Sequence, residues 1–156
     1  MANYVSSFRE GIKAAEIANE NKDEIQSVFE DLNNQLSSET ERKLQIKIES
    51  HYENKLFESI TEIVRNKEKN TYETISAFNP LANSVSSQKL ARWKMSRHGY
   101  PCRIYFDNTE LISEDKESLE SNLQILLSDP LVGKKLFHLI NFEVNDKKKS
   151  TDREMS

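Results

Sequence analysis

The sequence predicts an α+β fold, in which a long N-terminal helix and two C-terminal helices cover a small antiparallel sheet. Apolar residues recur every three or four positions near both ends of the chain, as they do on one side of an amphipathic helix. Short β-prone segments separated by turn residues occupy the middle. With 156 residues, the chain is long enough for one domain with a core and short for two.

The N-terminal helix is predicted over about residues 7–36. Ser7 followed by Glu10 fits a capping box, and the pair Ser37–Ser38 marks the end of the helix. Because its apolar stripe is broad and bordered by mixed charges, oligomerisation through this helix is an alternative to packing on the sheet. The stripe consists of Val5, Phe8, Ile12, Ala15, Ala18, Ile25, Val28, Phe29 and Leu32.

The segment that follows, residues 42–66, fits either a strand and a helix or one continuous helix. Alternation of apolar and polar residues predicts a strand over about 42–50 and then a short helix over about 54–65. A single helix would instead join positions four residues apart, namely Leu44, Ile48, Tyr52, Leu56 and Ile60. We favour the strand, because a helix would leave Ile46 between two lysines on the solvent side.

Three further strand segments complete the predicted sheet, at about 71–78, 89–96 and 102–112. Asn79–Pro80 ends the first of them. The turn sequence RHGYP, residues 97–101, connects the second to the third. A further turn at Asp107–Asn108 returns the chain within the third segment, so that the result is an antiparallel meander.

The C-terminal part is predicted to be helical. Ser113 is the expected cap of one helix, and Asp129 caps a second helix that has Pro130 at its first position. Beyond Phe142 the chain is polar, and residues 143–156 are predicted to be a disordered tail. Residues 1–142 would then form a single α+β domain.

Charge is distributed unevenly along the chain, whose formal net charge is −4. Residues 74–106 carry five bases and no acids, whereas the segments before and after them carry net charges of −5 and −4. This excludes a uniformly basic nucleic-acid binder and restricts any contact with a polyanion to a local, salt-sensitive patch.

The predicted binding surface lies in this acid-free segment. Strand alternation places Arg92, Lys94, Arg103 and Tyr105 on the solvent side and groups Lys89 with Trp93 on the opposite side. Cations there could contact carboxylates or phosphates. The alternative is a plain core strand whose bases pair with the acidic helices. The full predicted set is Lys89, Arg92, Trp93, Lys94, Arg97, His98, Tyr100, Arg103 and Tyr105.

Sequence motifs for catalysis or cofactor binding are missing. The single cysteine, Cys102, allows neither an intramolecular disulfide nor a thiolate metal cage. With three glycines and no phosphate-binding loop, we expect no cofactor, no metal and no catalytic residue. Arg97, His98 and Tyr100 do offer the residue types of metal-independent ribonucleases, which makes such an effector the third functional hypothesis.

These observations favour a small, non-enzymatic cytoplasmic accessory or adaptor protein that acts by protein–protein interaction. Its expected partner is an acidic protein surface or the product of a neighbouring gene, as for a subunit or regulator from a mobile-element or phage-defence operon. A nucleic-acid-binding module that uses residues 89–106 is the second hypothesis. No apolar run is long enough to cross a bilayer, so we expect no membrane partner.

Overall fold

A computed structural model describes residues 1–53, 71–82 and 85–154, with side chains up to residue 142. These residues form three helices and one five-stranded sheet, which confirms the predicted α+β fold. The predicted helix over 54–65 lies outside the described residues. The elements in chain order are α1 (Tyr4–Glu39), β1 (Gln45–Tyr52), β2 (Thr71–Phe78), β3 (Gln88–Ser96), β4 (Gly99–Phe106), β5 (Thr109–Ser113), α2 (Lys116–Leu127) and α3 (Pro130–Glu154).

Helix α1 begins three residues earlier than predicted. The side-chain oxygen of Asn3 accepts a hydrogen bond from the Ser6 amide at 3.1 Å and caps the helix. The predicted capping box of Ser7 and Glu10 is therefore wrong, because Ser7 already lies within the first turn. The buried residues of α1 are Ile25 and Val28, both in its C-terminal half.

The strand prediction for the ambiguous segment is confirmed. β1 pairs antiparallel with β2 over its full length, from Gln45 opposite Phe78 to Tyr52 opposite Thr71. Ile46 is buried, as the alternation requires. The pattern of apolar residues also allows a helix but leaves Ile46 exposed in it, and pairing with β2 is what fixes the strand.

The sheet is a simple meander, with the order β1-β2-β3-β4-β5 and antiparallel neighbours throughout. β4 begins at Gly99, three residues earlier than predicted, directly after a two-residue turn. Asp107 and Asn108 both have positive φ, at 48° and 57°, which suits the tight turn between β4 and β5. The predicted segment 102–112 therefore contains parts of two strands, as the turn between them indicates.

The three helices pack on one face of the sheet, which we call the inner face. There the ring of Trp93 meets Phe29 of α1 edge-on, with centroids 5.4 Å apart. The buried apolar residues of this core include Ile75, Ile104, Leu119, Leu123, Leu126, Val132 and Leu139. The opposite side of the sheet is the outer face, and no helix among the described residues packs on it.

The C-terminal helices begin at aspartate caps. Asp115, with Ser118, forms the capping box of α2, whereas Ser113 is the buried last residue of β5; the prediction that Ser113 caps this helix is wrong. The Asp129 carboxylate accepts hydrogen bonds from two amides in the first turn of α3, which confirms that cap. A disordered tail is predicted over residues 143–156. The structure does not describe the side chains of these residues, and disorder there stays a prediction.

Candidate binding surface on the outer face of the sheet

A β-bulge decides which cations share the outer face. Ser76 of β2 lies opposite Lys89 and Ile75 lies opposite Ala91, so Leu90 is an extra residue in β3. Leu90 and Ala91 are both buried, because the bulge turns two consecutive side chains to the same side. The alternation changes phase there, and Lys89 comes to lie on the outer face. The prediction that Lys89 shares a face with Trp93 is therefore wrong.

Two of these cations converge on Tyr72 of β2. Lys89 Nζ donates a hydrogen bond to the Tyr72 hydroxyl at 2.9 Å, and the Arg92 guanidinium carbon lies 4.5 Å from the centre of the ring. The Tyr72 ring also stacks on the imidazole of His51, with centroids 5.1 Å apart. Sequence analysis missed Tyr72. The signal was its place in the predicted strand over 71–78, where residues two apart, such as Tyr72 and Thr74, share one face.

The other cations occupy adjacent strands in direct register. Arg92 lies opposite Tyr105, and Lys94 lies opposite Arg103, so the four side chains share the outer face as the alternation predicts. The Arg103 guanidinium donates to the Glu110 carboxylate, and this hydrogen bond raises the pKa of Arg103. Lys94 lies directly across from Arg103, and Glu110 compensates the charge of Arg103.

Carboxylates neutralise part of this surface. Arg92 Nη2 lies 3.6 Å from an oxygen of Glu53, and Arg103 is paired with Glu110. Lys94 has no ion-pair partner in the part of the chain that the structure describes. Among the described residues, four cations of this surface thus lie beside two carboxylates. Lys89 donates to the Tyr72 hydroxyl, and the exposed Lys94 remains for an external anion.

Next to these cations, polar side chains of β1 and β2 form a hydrogen-bond network on the sheet. His51 Nε2 lies 2.8 Å from Thr74 Oγ1, which in turn lies 2.7 Å from Ser76 Oγ. Ser87 donates to the Glu49 carboxylate at 2.7 Å. Burial acts to raise the pKa of Glu49, but hydrogen bonds from Ser87 and Ser76 outweigh it and lower the pKa. Thr74 and Ser76 are fully buried, so this network is structural.

The remaining predicted residues do not join the outer face. Trp93 is buried on the inner face. Tyr100 is half-buried and donates its hydroxyl to the Glu24 carboxylate of α1 at 2.8 Å, and burial together with this bond raises its pKa. Arg97 and His98 form the exposed turn between β3 and β4, at one end of the sheet. The predicted set of nine therefore divides into five outer-face residues, two turn residues and two that face the helices.

The ribonuclease hypothesis stays a prediction, and two of its three residues have different surroundings. The Tyr100 hydroxyl is occupied by Glu24, while His98 lies in the turn. Cys102 is fully buried, and burial raises the pKa of its thiol to about 12. Among the described residues, no group of three or more His, Cys, Asp or Glu side chains is placed to hold a metal ion.

Comparison with known proteins identifies no family for this chain. No protein-family model matches the chain, and no curated protein or solved structure matches it either. In the part of the chain that is described, no helix has the length and apolar character needed to span a membrane. The function is therefore argued from the arrangement of the side chains.

Proposed function

We propose that this protein is a non-enzymatic accessory protein that binds an acidic segment of a partner protein through a cationic surface on the outer face of its sheet. The cationic surface consists of Lys89, Arg92, Lys94, Arg103 and Tyr105. We further propose a cytoplasmic protein, because its single cysteine provides none of the disulfides that stabilise many small secreted domains. A role as subunit or regulator in a mobile-element or phage-defence operon would suit such an accessory protein.

The observation that carries the proposal is the exposed position of Lys94 beside the other cations of the outer face. Glu110 pairs with Arg103, on the strand opposite, whereas Lys94 has no ion-pair partner among the described residues. A partner's carboxylate placed beside Lys94 would gain charge-assisted hydrogen bonds from its ammonium group. The surface thus offers an exposed ammonium group to an external carboxylate, as expected of a binding site.

Charge favours a short acidic peptide over nucleic acid. Among the described residues, the surface has two cations in excess of its carboxylates, and the whole chain is acidic, with a net charge of −4. A long polyanion would meet repulsion from the rest of the molecule. Base stacking is also restricted, because the Tyr72 ring already contacts His51, Lys89 and Arg92.

Single-stranded nucleic acid remains the second candidate, and Tyr105 is the observation in its favour. Tyr105 is a half-buried aromatic residue on the outer face, directly opposite Arg92. Bases stack on such side chains while neighbouring guanidinium groups contact phosphates.

The test measures binding of two labelled probes by fluorescence anisotropy: a synthetic poly-glutamate peptide and a single-stranded oligonucleotide of equal charge. Lys94→Glu should weaken peptide binding by about tenfold or more, because it replaces an attraction with a repulsion. Lys134→Glu, an exposed lysine on α3, is the control with the same change in net charge. Equal losses in both variants would show unspecific attraction and contradict the proposal.

The probes also separate the two candidates. Stronger binding of the oligonucleotide, with an affinity that falls steeply between about 50 and 200 mM salt, would favour the nucleic-acid module. No binding of either probe at low salt would remove the cationic surface as a docking site.

A further inference from the structure

The N-terminal half of α1, residues 4–20, projects beyond the domain, and we call it the free half. All residues from 1 to 17 are exposed. After the free half, Asn21 is bonded to the rest of the domain, because its side-chain amide donates to the backbone carbonyl of His98 in the turn between β3 and β4 at 3.0 Å. At 1.5 Å per residue, the free half extends for about 25 Å.

Large apolar side chains stand uncovered on the free half. Val5 is 60% exposed, Phe8 67% and Ile12 49%. With Ala15 they follow a three-four-three spacing, which is the spacing of a seam between two coiled helices. An exposed apolar stripe of this kind marks a surface that another molecule covers.

A lipid surface does not fit this stripe. The free half carries the bases Arg9 and Lys13 against the acids Glu10, Glu16 and Glu20. Amphipathic helices that lie on membranes instead have a polar side rich in lysine and arginine, which anionic lipids attract. The partner is therefore a protein surface.

We propose that the free half pairs with the free half of a second copy of this chain, in antiparallel orientation. A two-fold axis near Glu10 would place Phe8 of one copy opposite Ile12 of the other. The same axis places Val5 opposite Ala15, so that each larger side chain meets a smaller one. Such self-complementarity is what an isologous two-fold interface requires. This surface is separate from the cationic surface, and the inference does not depend on the proposed function.

The position of the sheet selects the antiparallel orientation. Asn33 follows Phe8 by 25 residues, or about seven helical turns, and so lies on the same side of α1. There the side chain of Asn33 is hydrogen-bonded to the backbone of Ile46 in β1. A parallel partner helix would continue along this side and collide with β1. With the two-fold axis near Glu10, the first residue of an antiparallel partner helix, Tyr4, lies opposite Glu16. The partner therefore stops before Asn21, which is bonded to the turn between β3 and β4.

The area of contact sets the strength of this dimer. The two copies overlap over residues 4–16, or about 20 Å, and a helix about 10 Å wide that covers half its circumference over this length buries on the order of 600 Å² over both copies. Stable complexes bury roughly 1,200–2,000 Å², so the dimer is a weak and concentration-dependent one. We expect the mass in solution to rise from one chain toward two between about 10 and 500 µM.

Sedimentation equilibrium with a matched pair of variants tests the seam. Ile12→Glu should abolish self-association, because it places a charge in the seam. Ile17→Glu changes the same residue type at 48% exposure, but about 140° around the helix, and should self-associate like the unchanged protein. A single-chain mass at 500 µM for the unchanged protein, or equal effects of the two substitutions, would overturn the proposal.

Spin-label distances test the orientation. Glu20→Cys provides an exposed labelling site, while Cys102 is fully buried and stays unlabelled in the folded protein. Antiparallel pairing separates the two labels by about 30 Å along the helix axis, before any sideways offset. A distance distribution centred near 20 Å or below would show parallel pairing and sink the proposal.

Discussion

Gly99 connects the turn between β3 and β4 to helix α1. Its φ is +91°, a conformation that L-amino acids with a side chain rarely adopt. A Cβ atom added there would lie 2.6 Å from the Cβ of Asn21. The turn approaches α1 closely because this position has no side chain, and the approach allows Asn21 to bond the carbonyl of His98.

We predict that Gly99→Ala lowers the free energy of unfolding by about 1–3 kcal/mol, through backbone strain and the clash with Asn21. Urea unfolding followed by the fluorescence of Trp93, the one tryptophan in the chain, measures this change. Gly11→Ala and Gly133→Ala are controls in helices with open space around the added atom. They should be neutral or stabilise by up to about 1 kcal/mol, and a comparable loss in either would contradict the explanation.

Helix caps show why some residue roles escape prediction. Ser7 and Ser113 have suitable side chains, yet Asn3 and Asp115 are the caps. A capping residue is defined by the point where the backbone leaves the helix, and Ser113 is unsuitable because it ends a strand. Asp129 is predicted correctly, since the proline that follows it can only begin a helix there.

At the scale of the elements, Asn33 secures the edge strand of the sheet. Its side-chain amide donates to the Ile46 carbonyl at 2.9 Å, and its side-chain oxygen accepts from the Ile46 amide at 2.7 Å. The backbone groups of Ile46 on the free edge of β1 are thereby paired by α1. Unpaired groups on an edge strand are a template for aggregation, and this contact covers one such position.

Replacement of Asn33 by alanine should lower the free energy of unfolding by about 1–3 kcal/mol, because it leaves two backbone groups of a buried residue unsatisfied. Asn34→Ala removes the same side chain from the exposed neighbouring position and should change stability by less than about 0.5 kcal/mol. Thermal and urea unfolding of both variants measure the difference. Similar losses for the two would show that helix propensity, and not the contact with Ile46, is responsible.

The strands differ in how far local sequence predicts them. β2 lies where its β-prone residues and the following Asn79–Pro80 place it, whereas the pattern around β1 fits a helix as well. The bulge at Leu90 has no local signal, because it arises from the register between β2 and β3. That bulge moves Lys89 to the outer face, so the composition of the cationic surface depends on strand pairing.

Across the whole molecule, the free half of α1 contributes little to the stability of the domain. The buried part of α1 begins at Ile25, and Phe29 contacts Trp93. Deletion of residues 1–17 should therefore leave the urea midpoint within the equivalent of about 0.5 kcal/mol, while self-association is lost. Phe29→Ala, by contrast, should destabilise by about 2 kcal/mol or more. A large loss of stability on deletion would show that the free half packs against the domain.

Periodicity and turn residues suffice to predict the α+β class, the meander and the order of the helices, since each depends on residues close together in the chain. The outer-face positions of Arg92, Lys94, Arg103 and Tyr105 follow from the same alternation. Alternation also places Trp93 on the side opposite Arg92. Only the tertiary structure brings Tyr100 into contact with α1 and Lys89 into contact with Tyr72, and only it leaves the first half of α1 uncovered. These features depend on register and on contacts between distant segments, whose energies no local pattern records.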